Sequence, residues 1–449
     1  MKKALKWIGI SLLLVVALPL VAVIAVNAFD EQLDSKMASY GEPRAPGVSD
    51  AENGYYAMLA LGADDGADGM AYANAWVAEA RTAAKENRME KRAKPKRAER
   101  AVLCDSAQAS CLTVVREKTD EARTQLDAYN EDLQRHEKLI AFKRYEEVLD
   151  FPQRVVTGFP SFGPVGGAHK AYLLRAALAA EAGNVDAAVD AVERDLAFQR
   201  VMLEGSRTLI GKMLAAAAYT RDLALVADLL RGRGAEMAPH ASRLRDMLKP
   251  INAAALRLSP ALETEFALGK NLLRNPVAYQ GDDGGPASFG EQLAVRLFYK
   301  PKATTNLAYR QMLVAASATD APAHRVVAAF RTPAQAMGEL GLWDYIDNPV
   351  GNIMLRISAP NFGEYVLRLH DLDAYNRLLG LWIEIIAAGV SVEGAADFIA
   401  QSAPRFHDPY TQKPMRWDAQ KKRVYFEAQG SVAKRRTDGV DNGKVFIAL

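Results

Sequence analysis

The longest feature in the hydrophobic pattern is residues 7–29, WIGISLLLVVALPLVAVIAVNAF, an apolar run without a charged side chain. A helix rises about 1.5 Å per residue and a bilayer core is about 30 Å thick, so this run predicts a spanning helix. Trp7 and Phe29 bound it, Leu13 lies inside it, and Pro19 near its middle bends a membrane helix without excluding one. Lys2, Lys3 and Lys6 precede the run and Asp30, Glu31 and Asp34 follow it, which keeps the start in the cytoplasm and exports the remainder. The competing reading is a signal peptide cleaved after Val26-Asn27-Ala28, but the run exceeds the usual apolar core of about 7–15 residues.

Beyond it the pattern becomes helical. Residues 30–50 contain Gly41, Pro43, Pro46 and Gly47 and read as an irregular tether, followed by a helix through NGYYAMLAL capped by Ser49 or Asp50. GADDGADG is a turn. Its carboxylates do not make a calcium loop, because Ala75 or Trp76 stands where the twelfth-position Glu should be. A single long helix is expected over residues 113–149, and residues 151–169, rich in Pro and Gly, read as a loop between two lobes. Residues 170–231 give the clearest pattern: three amphipathic helices, the first ending at Gly183 and the third starting from a Ser206 cap. Short Gly/Asn turns make successive helices antiparallel neighbours. The second apolar run, residues 372–390, contains Asp373, Asn376, Arg377 and Glu384 and is a core helix. From residue 408 the period falls to two, with Met415 and Trp417 answered by Val424 and Phe426 across AQKK. KVFIAL can add a third strand.

The fold class is therefore mainly α, with an N-terminal transmembrane helix, a helical-hairpin body and a small C-terminal antiparallel β-hairpin. The expected division is 1–29 anchor, 30–50 tether, 51–160 first helical lobe, 161–405 main body and 406–449 tail.

Composition changes this picture little. The chain has 449 residues, a net charge of +2 and 50% hydrophobic residues, which is ordinary globular usage. Residues 88–100 carry seven Lys or Arg against Glu90 and Glu99. They read as a solvated linker, with lipid headgroups or an anionic envelope polymer as the alternative partner. The only cysteines, Cys104 and Cys111, lie in the exported part, where thiols oxidise, and they are expected to pair.

The search for chemistry is mostly negative. There is no CxxCH for haem, and His136-Glu137 lacks the second His of a zinc helix. GSRTLIGK has five residues between its glycines and Met213 after its Lys, so it is not a phosphate loop. FPSFG lacks the glycine that a nucleophile elbow requires. His370-Asp371 and His407-Asp408 are sequence neighbours, which on a helix do not face each other. No catalytic residue, metal ligand or cofactor is assigned, and nucleic acid is excluded as a partner.

The tail, through Asp408, Pro409, Tyr410, Thr411, Pro414, Met415 and Trp417, resembles a module of uncharacterised bacterial single-pass anchored envelope proteins. It is more loosely similar to the C-terminal hairpin of secretion pseudopilins. The resemblance covers residues 408–430 and implies an interaction module, not an activity. The expectation is a bacterial inner-membrane protein with its body in the periplasm, held by lipid and acting on an envelope protein by binding or scaffolding. The rivals are an envelope hydrolase with a site near His169 or residues 341–365, and a secretion accessory protein.

Overall fold

The computed structural model describes residues 2–86, 88, 90–91, 101–106, 109–150, 159–274, 288–330, 341–358, 362–430, 440–441 and 443–448. Most of the basic segment, and residues 151–158 of the expected inter-lobe loop, lie outside them. The protein is mainly helical with a small antiparallel sheet at its C-terminus.

Helix α1 (Lys2–Asn27) carries the apolar run with Pro19 inside it. Among the described residues no helix is long and apolar enough to cross a membrane. The segment read as a tether is irregular but seated on the body. Met37 is buried, and the Tyr40 ring packs edge-on against Phe266 and Tyr309. Asp34 N donates to Asn306 Oδ1 at 2.9 Å.

Helices α2 (Gly54–Ala60) and α3 (Gly69–Lys85) follow. Asn53, not Ser49 or Asp50, caps α2, because its side chain also bridges to the backbone of Glu146. Asp68 in the acidic turn caps α3 by accepting from Met70 N and Ala71 N. The long helix expected over 113–149 is three: α4 (Cys111–Glu117), α5 (Thr119–Ala128) and α6 (Asn130–Ile140). The breaks fall at Lys118 and Tyr129, whose backbones leave the helical region, and Tyr129 is buried with its hydroxyl over Gly167. Burying that ring outweighs continuing a densely charged helix. The Cys104–Cys111 disulfide forms, with Cα atoms 5.5 Å apart and both residues buried. A loop this short stabilises by about 2–3 kcal/mol in the chain-entropy picture.

Helix α7 (Gly163–Glu181) begins seven residues earlier than the pattern predicts, because Pro164 occupies the first turn, where its missing N–H is harmless. His169 therefore sits on a helix and not in an inter-lobe loop. Gly183 adopts φ +86° in the turn, and Asn184 caps α8 (Val185–Gly205). Helix α9 (Leu209–Gly232) is capped by Thr208 instead of Ser206, whose hydroxyl turns back to Met202 O. Beneath this turn the buried Glu147 accepts from Arg207 N, Thr208 N and the Thr208 hydroxyl.

After short helical turns come α10 (Ser259–Arg274), α11 (Phe289–Phe298), α12 (Pro301–Thr319), α13 (Ala323–Phe330), α14 (Pro349–Ser358) and the central helix α15 (Phe362–Ala387). The tail forms β1 (Arg416–Asp418), β2 (Arg423–Glu427), β3 (Val440–Asp441) and β4 (Lys444–Ala448) in the order β1-β2-β4-β3. Trp417 pairs with Val424, and the final strand pairs antiparallel with β2. One buried apolar cluster runs from Tyr55 through α15 to Ile447.

Candidate functional site: a cleft under the C-terminal sheet and a buried polar cluster

A cleft of about 600 Å³ lies where α15 meets the turn between α12 and α13 and the start of the tail. That volume suits a small ligand. Its wall includes Arg257, His324, His370, Asp373, Arg377 and His407. Helix α15 supplies three of these at i, i+3 and i+7, so the turn of the helix places them on one side.

The carboxylates here are already engaged. Asp373 accepts from Ile251 N at 3.1 Å and from Arg377 Nε at 2.7 Å. Asp320 accepts from the Ser259 hydroxyl at 2.6 Å, and Asp408 accepts from Tyr410 N at 2.8 Å. The Thr319 hydroxyl donates to Ala316 O. His407 is pinned between Ser402 O and Gln412 O, and Gln412 reaches His324. His370 differs. Burial lowers its pKa to about 4, it is held by the backbone of Ala321, and its Nε2 has no hydrogen-bond partner. A neutral imidazole with an unfilled nitrogen offers a hydrogen-bond acceptor to a ligand.

The tail residues singled out in the sequence fall around this cleft. Asp408 and Pro409 line it, and the Tyr410 hydroxyl reaches Asp371 on α15. Pro414 and Trp417 are half-buried beyond it. At the other end of the chain, Trp7 and Phe29 are exposed, and Leu13 and Pro19 lie within α1.

The second constellation was not foreseen. His136 on α6, His169 on α7, Asp195 on α8 and Asp222 on α9 meet in the body's core, none more than 2% exposed. His136 Nε2 is 2.8 Å from Asp195 Oδ2, and His169 Nε2 is 2.9 Å from Asp222 Oδ1. Gln199 donates to the other Asp195 oxygen at 2.7 Å. Burial drives the Asp222 carboxyl well above its ordinary pKa and lowers His169 to about 3, both toward the uncharged form. The expected hydrolase locations are thus unlike each other: His169 is sealed in the core, while Leu342, Trp343 and Tyr345 of the aromatic segment are exposed. The sequence signal for the cluster was a buried polar residue on each of four helices, three of which bury other polar side chains as well, a pattern without fixed spacing.

No family model, curated protein or solved structure matches the chain.

Proposed function

We propose that this chain is a membrane-anchored envelope protein that binds a small polar ligand in the cleft between its helical body and its C-terminal sheet. The observation that carries the binding role is His370: a buried acceptor nitrogen without a partner, in the wall of a ligand-sized cleft whose carboxylates are otherwise occupied. A ligand hydroxyl or amide N–H satisfies it, and the exposed Arg257 at the rim suits an acidic group on the same ligand.

The anchored location is supported by the sequence of residues 7–29 and by the way apolar side chains are displayed. Val15, Leu18 and Val21 on α1 are 69%, 64% and 61% exposed. Asn27 ties the end of α1 to the body, donating to Ile346 O at 2.7 Å and accepting from Asn348 N at 2.8 Å. Around that junction Leu342, Trp343, Tyr345, Ile353 and Ile357 are exposed. Apolar and aromatic side chains gathered at the foot of an apolar helix suit a bilayer interface.

The test is a thermal-shift screen of the detergent-solubilised full chain against small saccharides and peptides, repeated with His370→Gln and Arg257→Ala. A ligand whose stabilisation both variants remove supports the cleft. Ligands that stabilise all three proteins equally place binding elsewhere and defeat the reading.

A further inference from the structure

Four helices in chain order, α6 to α9, bring His136, His169, Asp195 with Gln199, and Asp222 to a single point in the core. We propose that His169, Asp195 and Asp222 bind a first-row divalent cation, with His136 holding Asp195 in position. Nothing in the cleft reading requires this site, and it stands apart from that reading.

The spacing of the donor atoms carries the argument. One ligand atom from each of the three residues lies within 4.8 Å of the others. His169 Nε2 is 2.9 Å from Asp222 Oδ1 and 3.8 Å from Asp195 Oδ2. With metal–ligand distances of about 2.0–2.2 Å, the edges of a tetrahedron are roughly 3.3–3.6 Å, so these separations bracket the geometry of a shared ion. The 3.8 Å separation is too long for a hydrogen bond and fits two ligands of one centre.

A second observation points the same way. Asp222 is fully buried, yet its Oδ2 has no hydrogen-bond partner. That oxygen belongs to the carboxylate whose Oδ1 touches His169, and so lies beside the cluster. An orphaned carboxylate oxygen in a core is costly unless something fills its lone pairs. Among the described residues no lysine or arginine forms an ion pair with Asp195 or Asp222, and Arg221 acts on Asp222 only from beyond ion-pair range, so close positive charge is lacking apart from the histidines. A divalent cation supplies it and gives Asp222 Oδ2 its contact.

The donor set names the class of ion. Imidazole with two carboxylates and no thiolate suits zinc, iron or manganese rather than copper(I). Because every donor is sealed from solvent, the role is structural: the ion pins α7, α8 and α9 to one another, as bundle-core carboxylate and histidine sites do. His136 Nε2 sits 2.8 Å from the same Asp195 oxygen and is a positioning residue for it.

The test uses the full chain purified in detergent without chelator, with its metal content measured, then stripped and titrated with Zn²⁺ alone. The expected result is one zinc per chain, a higher melting temperature on binding, affinity lost in Asp222→Asn and His169→Gln, and affinity weakened about 10–100-fold in His136→Gln. Failure of the stripped chain to take up zinc, or unchanged uptake in Asp222→Asn and His169→Gln, overturns the proposal. Should those variants not fold, Co²⁺ added to the stripped native chain decides. The visible spectrum of a nitrogen- and oxygen-ligated centre supports the site, and the spectrum of the aquo ion overturns it.

Discussion

Tyr410 donates a hydrogen bond from its hydroxyl to Asp371 Oδ1 at 2.6 Å, joining the C-terminal module to the central helix. The same carboxylate accepts from Gln429 N at 3.0 Å and Gly430 N at 2.8 Å, so one side chain of α15 ties both ends of the β1–β2 hairpin. Removing it leaves two backbone N–H groups without their acceptor, while the Tyr410 hydroxyl keeps only Leu367 O at 3.1 Å. Asp371→Ala is expected to destabilise by about 3–5 kcal/mol, and Tyr410→Phe by about 1–2 kcal/mol, because the phenylalanine leaves the two backbone bonds intact. Urea unfolding of both variants measures this. Equal losses would mean that Asp371 does not act as a three-way acceptor.

His370 gives a pH dependence with a definite sign. Burial lowers its pKa from 6.5 to about 4, so between those values the unfolded chain holds more protons than the folded one. Stability from this residue is present above pH 6.5 and is lost as the pH falls toward 4. Asp371 works in the opposite sense. Burial raises its pKa from 3.8 to about 6, so its contribution declines as the pH rises through that range. The two windows overlap, and the native profile shows only their sum. The informative quantity is the difference between native protein and His370→Gln. That difference should change between pH 7 and pH 4.5, with the native chain losing more stability on acidification. A constant difference contradicts the assignment.

How much of this could be read in advance differs from one part of the chain to another, and the reason is range. Gly183 and Asn184 mark a helix hairpin because a left-handed turn and an N-cap are local demands, met by residues beside each other. The strand pair around Trp417 and Val424 was legible for the same reason. The breaks at Lys118 and Tyr129 were not, since Tyr129 leaves the helix to bury its ring beside Gly167, nearly forty residues away. His136, His169, Asp195 and Asp222 are an extreme case. Each is one polar position among several on its own helix, and only the packing of four helices makes them neighbours. The cleft combines both situations: His370, Asp373 and Arg377 share a helix face that periodicity could place, whereas Arg257 and His407 arrive from distant segments.

If α1 is the anchor, its outward apolar side chains hold it in lipid. Replacing Leu18 and Val21 together by Lys puts two charges near the middle of the apolar run, each costing about 2.5–3.5 kcal/mol at a helix centre. The body should then leave the membrane fraction or fail to be exported, as read by fractionation and by a C-terminal reporter active only outside the cytosol. An unaltered membrane fraction and unaltered reporter activity would show that residues 7–29 do not hold the protein in the bilayer.

Two glycines on neighbouring helices test whether close approach or chain flexibility decides their identity. At Gly205, the last residue of α8, an added Cβ would lie 1.7 Å from the backbone carbonyl oxygen of Tyr145. Neither partner can swing away, because the oxygen is main-chain and Tyr145 is buried. Gly205→Ala must therefore separate α8 from the segment that also carries Glu147 under the α9 cap, and a loss of several kcal/mol is expected. At Gly166, within α7, the added Cβ would meet nothing within 4 Å. There the glycine only gives the unfolded chain more freedom to lose, so Gly166→Ala should stabilise by about 0.5–1 kcal/mol. Chemical unfolding of the two variants side by side settles the contrast. Opposite signs mean that α8 and the 145–147 segment pack backbone to backbone, and two changes of the same sign would mean that this contact is not what selects glycine at 205.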